Sequence, residues 1–140
     1  MIEMNRMWGL ALLLLALPIG SIAQTPAGAA PAAAMSGETV YANNCAACHQ
    51  PTGAGIGPFP ALASNAMVAG PADVLAITVL LGRGGMPAFK NEISDDDMAS
   101  MLTFMRGAWG NKAAPVTPAD VAAARTNAAA DAQPKDLQAH

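Results

Sequence analysis

The feature that most constrains this chain is the run from Cys45 to His49, which reads Cys-Ala-Ala-Cys-His. Two thiols at this spacing can add to the two vinyl groups on one side of a porphyrin, and the histidine that follows can then ligate the iron. The chain has two cysteines and two histidines in all, and the second histidine, His140, is its last residue. The run therefore predicts covalent attachment of one haem c through Cys45 and Cys48, with His49 as an iron ligand.

Other interpretations of the cysteine pair remain open at this point. A Cys-x-x-Cys pair is also typical of thioredoxin-like redox sites, but those accompany a βαβ pattern, and no strand-rich unit is predicted here. The pair could form half of a zinc site, but structural zinc takes four ligands, and a second cysteine pair or a pair of internal histidines is missing. A disulfide between Cys45 and Cys48 would suit an oxidising compartment.

Composition divides the chain of 140 residues into four parts. Residues 1–23 are predicted to be a secretory signal cleaved before Gln24, with an uncleaved membrane anchor as the alternative. The predicted parts that follow are an Ala/Pro-rich linker at 24–35, a packed domain at 36–110 and an Ala/Pro-rich C-terminal extension at 111–140. The formal net charge of -3 gives no support to a nucleic-acid partner.

Local signals predict three to four helices and therefore an all-α fold class. The predicted helices run from 36 to about 49, from 71 to 81, from 94 to 107 and, as a short fourth helix, from 118 to 130. Ser36 and Ser94 are the expected N-caps, and Gly82 is the expected C-cap of the second helix. The third helix places Met98, Met101, Leu102 and Met105 on one face, which indicates core packing.

A methionine is the expected second iron ligand. Met86 lies in a loop directly behind a glycine pair that can aim its side chain inward, whereas Met67 is a weaker competitor and Met35 lies in the linker. With His49 and Met86 as ligands, both axial positions would be filled, and methionine would raise the reduction potential. The loop after His49, which is rich in glycine and proline, is expected to supply a carbonyl that accepts the ring N–H of the histidine.

Together, these residues resemble the class I c-type cytochromes over about residues 36–110. Cys45, Cys48 and His49 match the attachment and proximal-ligand positions of that family, Met86 matches the distal sulfur ligand, and Pro58 matches the proline whose carbonyl braces the proximal histidine. The resemblance implies a small cytochrome c fold in which three to four helices pack around one covalently attached haem c.

Three further matches make this resemblance more particular. Gly37 and Phe104 match the glycine and the aromatic residue where the first and last helices of the family cross. Residues 59–63 and 106–111 are similar to one domain of the cytochrome c subunits of membrane-associated alcohol and sugar dehydrogenases. Those subunits hold several such domains in one chain.

The resemblance implies a periplasmic electron carrier that is not an enzyme by itself. Its expected donor is a periplasmic or membrane dehydrogenase, its expected acceptor is an oxidase or another cytochrome of the respiratory chain, and it would meet the membrane only through a partner or an uncleaved signal. Two alternatives are a five-coordinate haem protein that binds a gas or peroxide and a fixed electron-transfer subunit of a dehydrogenase complex.

The distribution of charge predicts an apolar docking surface. No charged residue occurs from Cys45 to Gly70, and Arg83 is expected either to pair with a haem propionate or to steer a partner from the rim. The predicted contact consists of Ala46, Ala47, Ile56, Phe59 and Pro87.

Overall fold

The computed structural model describes residues 33–131, and this part of the chain forms six helices. The helices are α1 (Gly37–Asn44), α2 (Ala46–His49), α3 (Ala66–Ala69), α4 (Ala72–Leu81), α5 (Asp95–Gly107) and α6 (Pro118–Asp131). The all-α prediction is confirmed, and the four helices longer than a single turn account for the predicted number. The predicted signal, most of the predicted linker and the last residues of the predicted extension lie outside the described residues.

Side-chain caps determine where the longer helices α1, α5 and α6 begin. The hydroxyls of Ser36 and Ser94 each accept the backbone N–H three residues later at 3.2 Å, which confirms both predicted N-caps. At the start of α6, the Thr117 hydroxyl accepts the Asp120 N–H at 3.2 Å, and the Asp120 carboxylate accepts the Thr117 N–H at 2.8 Å. These contacts satisfy N–H groups that a helix start would otherwise leave without partners.

One helix boundary agrees with the prediction from sequence, and two features of the helices differ from it. Gly82 ends α4 with φ of 71°, a conformation that favours glycine. The first predicted helix is interrupted at Cys45, where φ is -120° and ψ is -34°, so α1 and α2 are separate helices. The single-turn α3 was not predicted, although Asn65 supplies its cap by accepting the N–H groups of Met67 and Val68.

Helices α1 and α5 cross in close contact at Gly37. A Cβ on this residue would lie 2.0 Å from the backbone oxygen of Ser100 and 2.9 Å from the Cβ of Phe104, so the crossing predicted from Gly37 and Phe104 is confirmed. The Phe104 ring also packs against Tyr41 and Trp109, with centroid distances of 5.8 and 5.2 Å. The crossing fixes the α1–α2 segment, which carries the Cys-x-x-Cys-His run, against the core.

The packed unit extends beyond Gly110, where the sequence predicted its end. Helix α6 packs against α4 and α5, and its buried face consists of Val121, Ala124 and Ala128. Arg125 forms an ion pair with Asp95 at 2.7 Å. The sequence predicted this helix but not its packing, because alanines at helical spacing can form a packing face without large side chains. Within residues 33–131, no helix is long and apolar enough to cross a membrane.

Candidate functional site

The two cysteines lie at the junction of α1 and α2. Both thiols are free; Cys45 is buried and Cys48 is half-buried. Burial, and secondarily the neighbouring Cys48, raises the pKa of the Cys45 thiol to about 11. Redox-active pairs instead lower the pKa of one thiol to produce a thiolate near neutral pH. The environment of Cys45 therefore argues against a thioredoxin-like site.

His49 is oriented by a backbone carbonyl. It is 9% exposed, and its Nδ1 lies 2.9 Å from the carbonyl oxygen of Pro60. Because a carbonyl can only accept a hydrogen bond, Nδ1 must donate, and in the neutral imidazole the lone pair of Nε2 is then free. This is the arrangement by which a second partner orients a metal-ligating histidine.

The sequence predicted the wrong proline as the source of the carbonyl that contacts His49. The sequence predicted Pro58, but the contact is made by Pro60. Ile56 and Phe59 exchange two backbone hydrogen bonds of 3.1 and 3.0 Å, so the chain reverses between them with Pro58 at the turn. The chain therefore returns to His49 two residues later than expected.

The predicted site residues line one cavity of about 720 Å³. Its lining includes every residue that the sequence proposed for the site: Cys45, Cys48, His49, Pro58, Arg83 and Met86. Cofactor and ligand cavities typically measure about 300–1,000 Å³ and are mostly apolar. Leu62, Leu75, Val79 and Phe89 contribute apolar surface to this one.

Met86 reaches the cavity from the loop between α4 and α5. Its N–H donates to the carbonyl of Arg83 at 3.0 Å, and Gly84 and Gly85 form the turn between them. The Met86 side chain is half-buried against the core, whereas Arg83 is exposed and places Nη1 3.7 Å from the sulfur of Met67. The loop therefore presents a thioether to the same cavity as the cysteines and the imidazole.

Two other methionines also line the cavity. They are Met67, the competitor considered from sequence, and Met105, which was assigned to the core and is also buried. Met101 is fully buried, and its sulfur lies 3.7 Å from the Cys45 sulfur. Proximity to the cavity alone therefore does not distinguish Met86 from Met67 and Met105.

Sequence reasoning did not assign a role to Asn111, which supports the cavity wall from behind. Asn111 is 4% exposed, accepts the N–H of Asn65 at 2.9 Å, and donates to the carbonyls of Leu62 and Met105, both at 2.9 Å. The sequence feature that could have indicated this role is the stretch at 106–111, which includes Asn111 and was noted only for its similarity to the dehydrogenase subunits. Its contacts join the end of α5 to the 62–65 segment.

A covalently attached haem fits this set of groups. The thiols, the imidazole with a free Nε2 and a thioether line one largely apolar cavity of suitable volume. Within the helical fold, this site defines a class I c-type cytochrome. The family described as cytochrome c oxidase, cbb3-type, subunit III matches residues 32–105, and the chain belongs to this family.

Individual relatives agree with this assignment. The chain is 38% identical to cytochrome c6 of Leptolyngbya boryana over 75 residues, which cover 51% of this chain and 88% of the relative. It is 37% identical to the cytochrome c subunit of the quinone alcohol dehydrogenase of Gluconobacter oxydans over 109 residues, covering 67% of this chain and 23% of the relative. The gluconate 2-dehydrogenase cytochrome c subunit of Pantoea cypripedii is 34% identical over 105 residues, covering 64% of this chain and 24% of the relative.

The chain thus spans about a quarter of the length of these dehydrogenase subunits. Haem c is the cofactor that the cytochrome c family implies. The members of this family are electron carriers or subunits and are not catalytic enzymes themselves, and this chain is an electron carrier in that general sense.

Proposed function

We propose that this chain is an exported cytochrome c that carries single electrons on one covalently bound haem c, from a dehydrogenase or another donor to the respiratory chain. The observation that carries the proposal is the contact between His49 Nδ1 and the Pro60 carbonyl, because it leaves Nε2 of a cavity-lining imidazole free for iron. The single Cys-x-x-Cys-His run supports one haem per chain.

Each site residue has a distinct role in this proposal. Cys45 and Cys48 would hold the haem by thioether bonds, and His49 and Met86 would bind the iron from its two sides. When bound, the haem supplies a one-electron couple, whose potential the axial ligands and the surroundings adjust. The Pro60 carbonyl fixes the orientation of the imidazole, and the apolar lining excludes water from the site.

A fixed electron-transfer subunit of a dehydrogenase complex is the second candidate function. The similarity to cytochrome c subunits of alcohol and gluconate dehydrogenases favours it. Co-purification separates the two candidates: a carrier is recovered alone from the native host, whereas a subunit is recovered with a dehydrogenase.

Export is the proposed role of residues 1–23. Haem attachment to cysteines suits a compartment outside the cytoplasm, and the small residues before Gln24 support cleavage there. We therefore propose a periplasmic location. The mass of the intact native holoprotein tests the proposal, because a mass that includes residues 1–23 would favour an anchored form.

The proposed contact with a redox partner is apolar. Ile56 is 58% exposed and Phe59 is 41% exposed beside the cavity, in the segment from Cys45 to Gly70 that has no charged residue. A partner with an uncharged, apolar face fits this surface, and little charge is available for salt to screen. A steep fall in the electron-transfer rate with added salt would contradict this docking mode.

The direct test of the proposed function is spectroscopic. The protein expressed with its natural leader should show the reduced-state absorption bands of haem c, and the haem should stay with the chain under denaturing conditions. Replacing both cysteines, Cys45→Ala with Cys48→Ala, should abolish covalent haem. Strong carbon monoxide binding by the reduced wild-type protein would instead indicate an open iron position and a five-coordinate haem protein.

A further inference from the structure

Arg106 is a buried cation whose hydrogen-bond partners are all neutral. It lies in the last turn of α5 and is 5% exposed. Its Nε donates to the carbonyl of Ala114 at 2.7 Å, and its Nη1 donates to the carbonyls of Val68 and Gly70 at 2.9 and 2.7 Å. Among residues 33–131, no carboxylate forms an ion pair with this guanidinium.

Joining the end of α5 to the carbonyls of Val68, Gly70 and Ala114 does not require a charge. A neutral amide such as glutamine also donates to carbonyls, and removing a guanidinium from water without a counter-ion is unfavourable. The position of Arg106 at the C-terminal end of α5 offsets part of this cost, because that end of a helix favours a cation. The hydrogen bonds alone therefore do not explain why the side chain at this position is positively charged.

The charge lies directly behind the wall of the cavity. The preceding residue, Met105, lines the cavity. Two of the three carbonyls bound by Arg106, those of Val68 and Gly70, belong to a segment whose Met67 also lines it. Three hydrogen bonds hold the guanidinium in one position, so its charge is fixed relative to the cavity. In a low-dielectric interior, such a charge acts more strongly than a surface charge and is less screened by salt.

We propose that Arg106 raises the reduction potential of the haem held in this cavity. The inference rests on the proposed function, which places a haem there. When the haem gives one electron to a redox partner, its own net charge becomes more positive by one, and a fixed cation nearby disfavours that change. Arg106 acts through space and is not an iron ligand.

Two other cations provide comparisons. Arg83 lines the cavity but is exposed, so water and salt weaken its field. Lys112 is exposed and does not line the cavity. Lys112→Gln therefore changes the net charge as Arg106→Gln does, at a site where the potential should be insensitive.

The experiment measures the reduction potential of the purified holoprotein by spectroelectrochemical titration, at low and at high salt. Arg106→Gln should lower the potential, and the decrease should persist at high salt because the charge is buried. Arg106→Lys keeps the charge and should restore most of the wild-type potential, even if it unfolds at a lower urea concentration. Lys112→Gln should leave the potential close to that of the wild type.

Equal decreases for Arg106→Gln and Arg106→Lys, or no decrease for either, would overturn the inference and leave Arg106 a purely structural residue. If Arg106→Gln does not fold, the exposed position 114 provides a second pair of variants. Ala114→Glu places a carboxylate beside the guanidinium and should lower the potential relative to Ala114→Gln, and equal potentials would overturn the inference. Absence of covalent haem in the wild-type protein would overturn the proposed function as well.

Discussion

Gly37→Ala tests the close crossing of α1 and α5. The added Cβ would lie 2.0 Å from the backbone oxygen of Ser100 and 2.6 Å from its carbonyl carbon. A carbon and a carbonyl oxygen in favourable contact are about 3.3–3.6 Å apart, so the two helices would have to separate by on the order of 1 Å. Rotating a side chain cannot relieve the clash, because the obstructing atoms belong to the backbone of α5.

The expected cost follows from this geometry. Overpacking a well-packed core typically costs about 1–3 kcal/mol. We expect the upper end of that range, because the separation also loosens the contacts of the fully buried Val40 and Met101. The higher helix propensity of alanine offsets at most about 1 kcal/mol. The net loss of about 2 kcal/mol corresponds to a melting temperature lower by about 8–16 °C for a domain of this size.

Urea unfolding of the purified protein, followed by far-UV circular dichroism, measures this loss. Gly107→Ala is the matched control, because Gly107 is also a terminal helical residue and a Cβ there would meet nothing within 4 Å. The control should be unchanged or more stable by up to about 1 kcal/mol. If Gly37→Ala were as stable as the control, the helices could not cross as closely as described, and the reasoning would fail.

Three further predictions concern the ligand, the cavity wall and α6. Met86→Ala should leave haem covalently attached, lower its reduction potential and open the iron to carbon monoxide; an unchanged potential without carbon monoxide binding would remove Met86 from the site. Asn111→Ala breaks two buried hydrogen bonds and one partly buried one, and it should lower the free energy of unfolding by about 2–4 kcal/mol; a change below about 1 kcal/mol in urea unfolding would contradict that assignment. Hydrogen bonds from the Thr117 backbone and side chain lower the pKa of the exposed Asp120, so the stability contributed by this cap is present above about pH 4 and is lost as the pH falls further. The protection of amide hydrogens in the first turn of α6, taken relative to intrinsic exchange at the same pH, should therefore decrease in acid, and Asp120→Asn should abolish this pH dependence of the protection.

The features that the sequence predicted correctly depend on neighbouring residues. The caps at Ser36 and Ser94 are contacts between residues three positions apart, and Gly82 needs only its own backbone conformation to end α4. Cys45 and His49 likewise line the same cavity because they belong to one run of five residues, 45–49. Local chemistry of this kind is visible in a single chain before any packing is known.

The features that the sequence missed depend on distant residues. Which carbonyl meets His49 depends on where the loop reverses, and that placed Pro60 rather than Pro58 in contact with the imidazole. The roles of Arg106 and Asn111 arise from hydrogen bonds that span 36–49 positions in the chain. Helix α6 has few large apolar residues, so only the arrangement of α4 and α5 reveals the face that it covers.

The anchoring of α6 has a consequence for the loop that carries Met86. Arg125 donates to the carbonyls of Lys90 and Ile93, and the Phe89 N–H donates to the carbonyl of Val79 at 3.1 Å, so the second half of the 83–93 segment is tethered. A shorter free segment has less conformational entropy to lose, and each halving of its length is worth about 0.6 kcal/mol. The tethers thus raise the effective concentration of the Met86 sulfur at the cavity. A helix that lies outside residues 32–105, the part that matches the family, therefore helps to determine the fraction of time that this sulfur spends at the cavity.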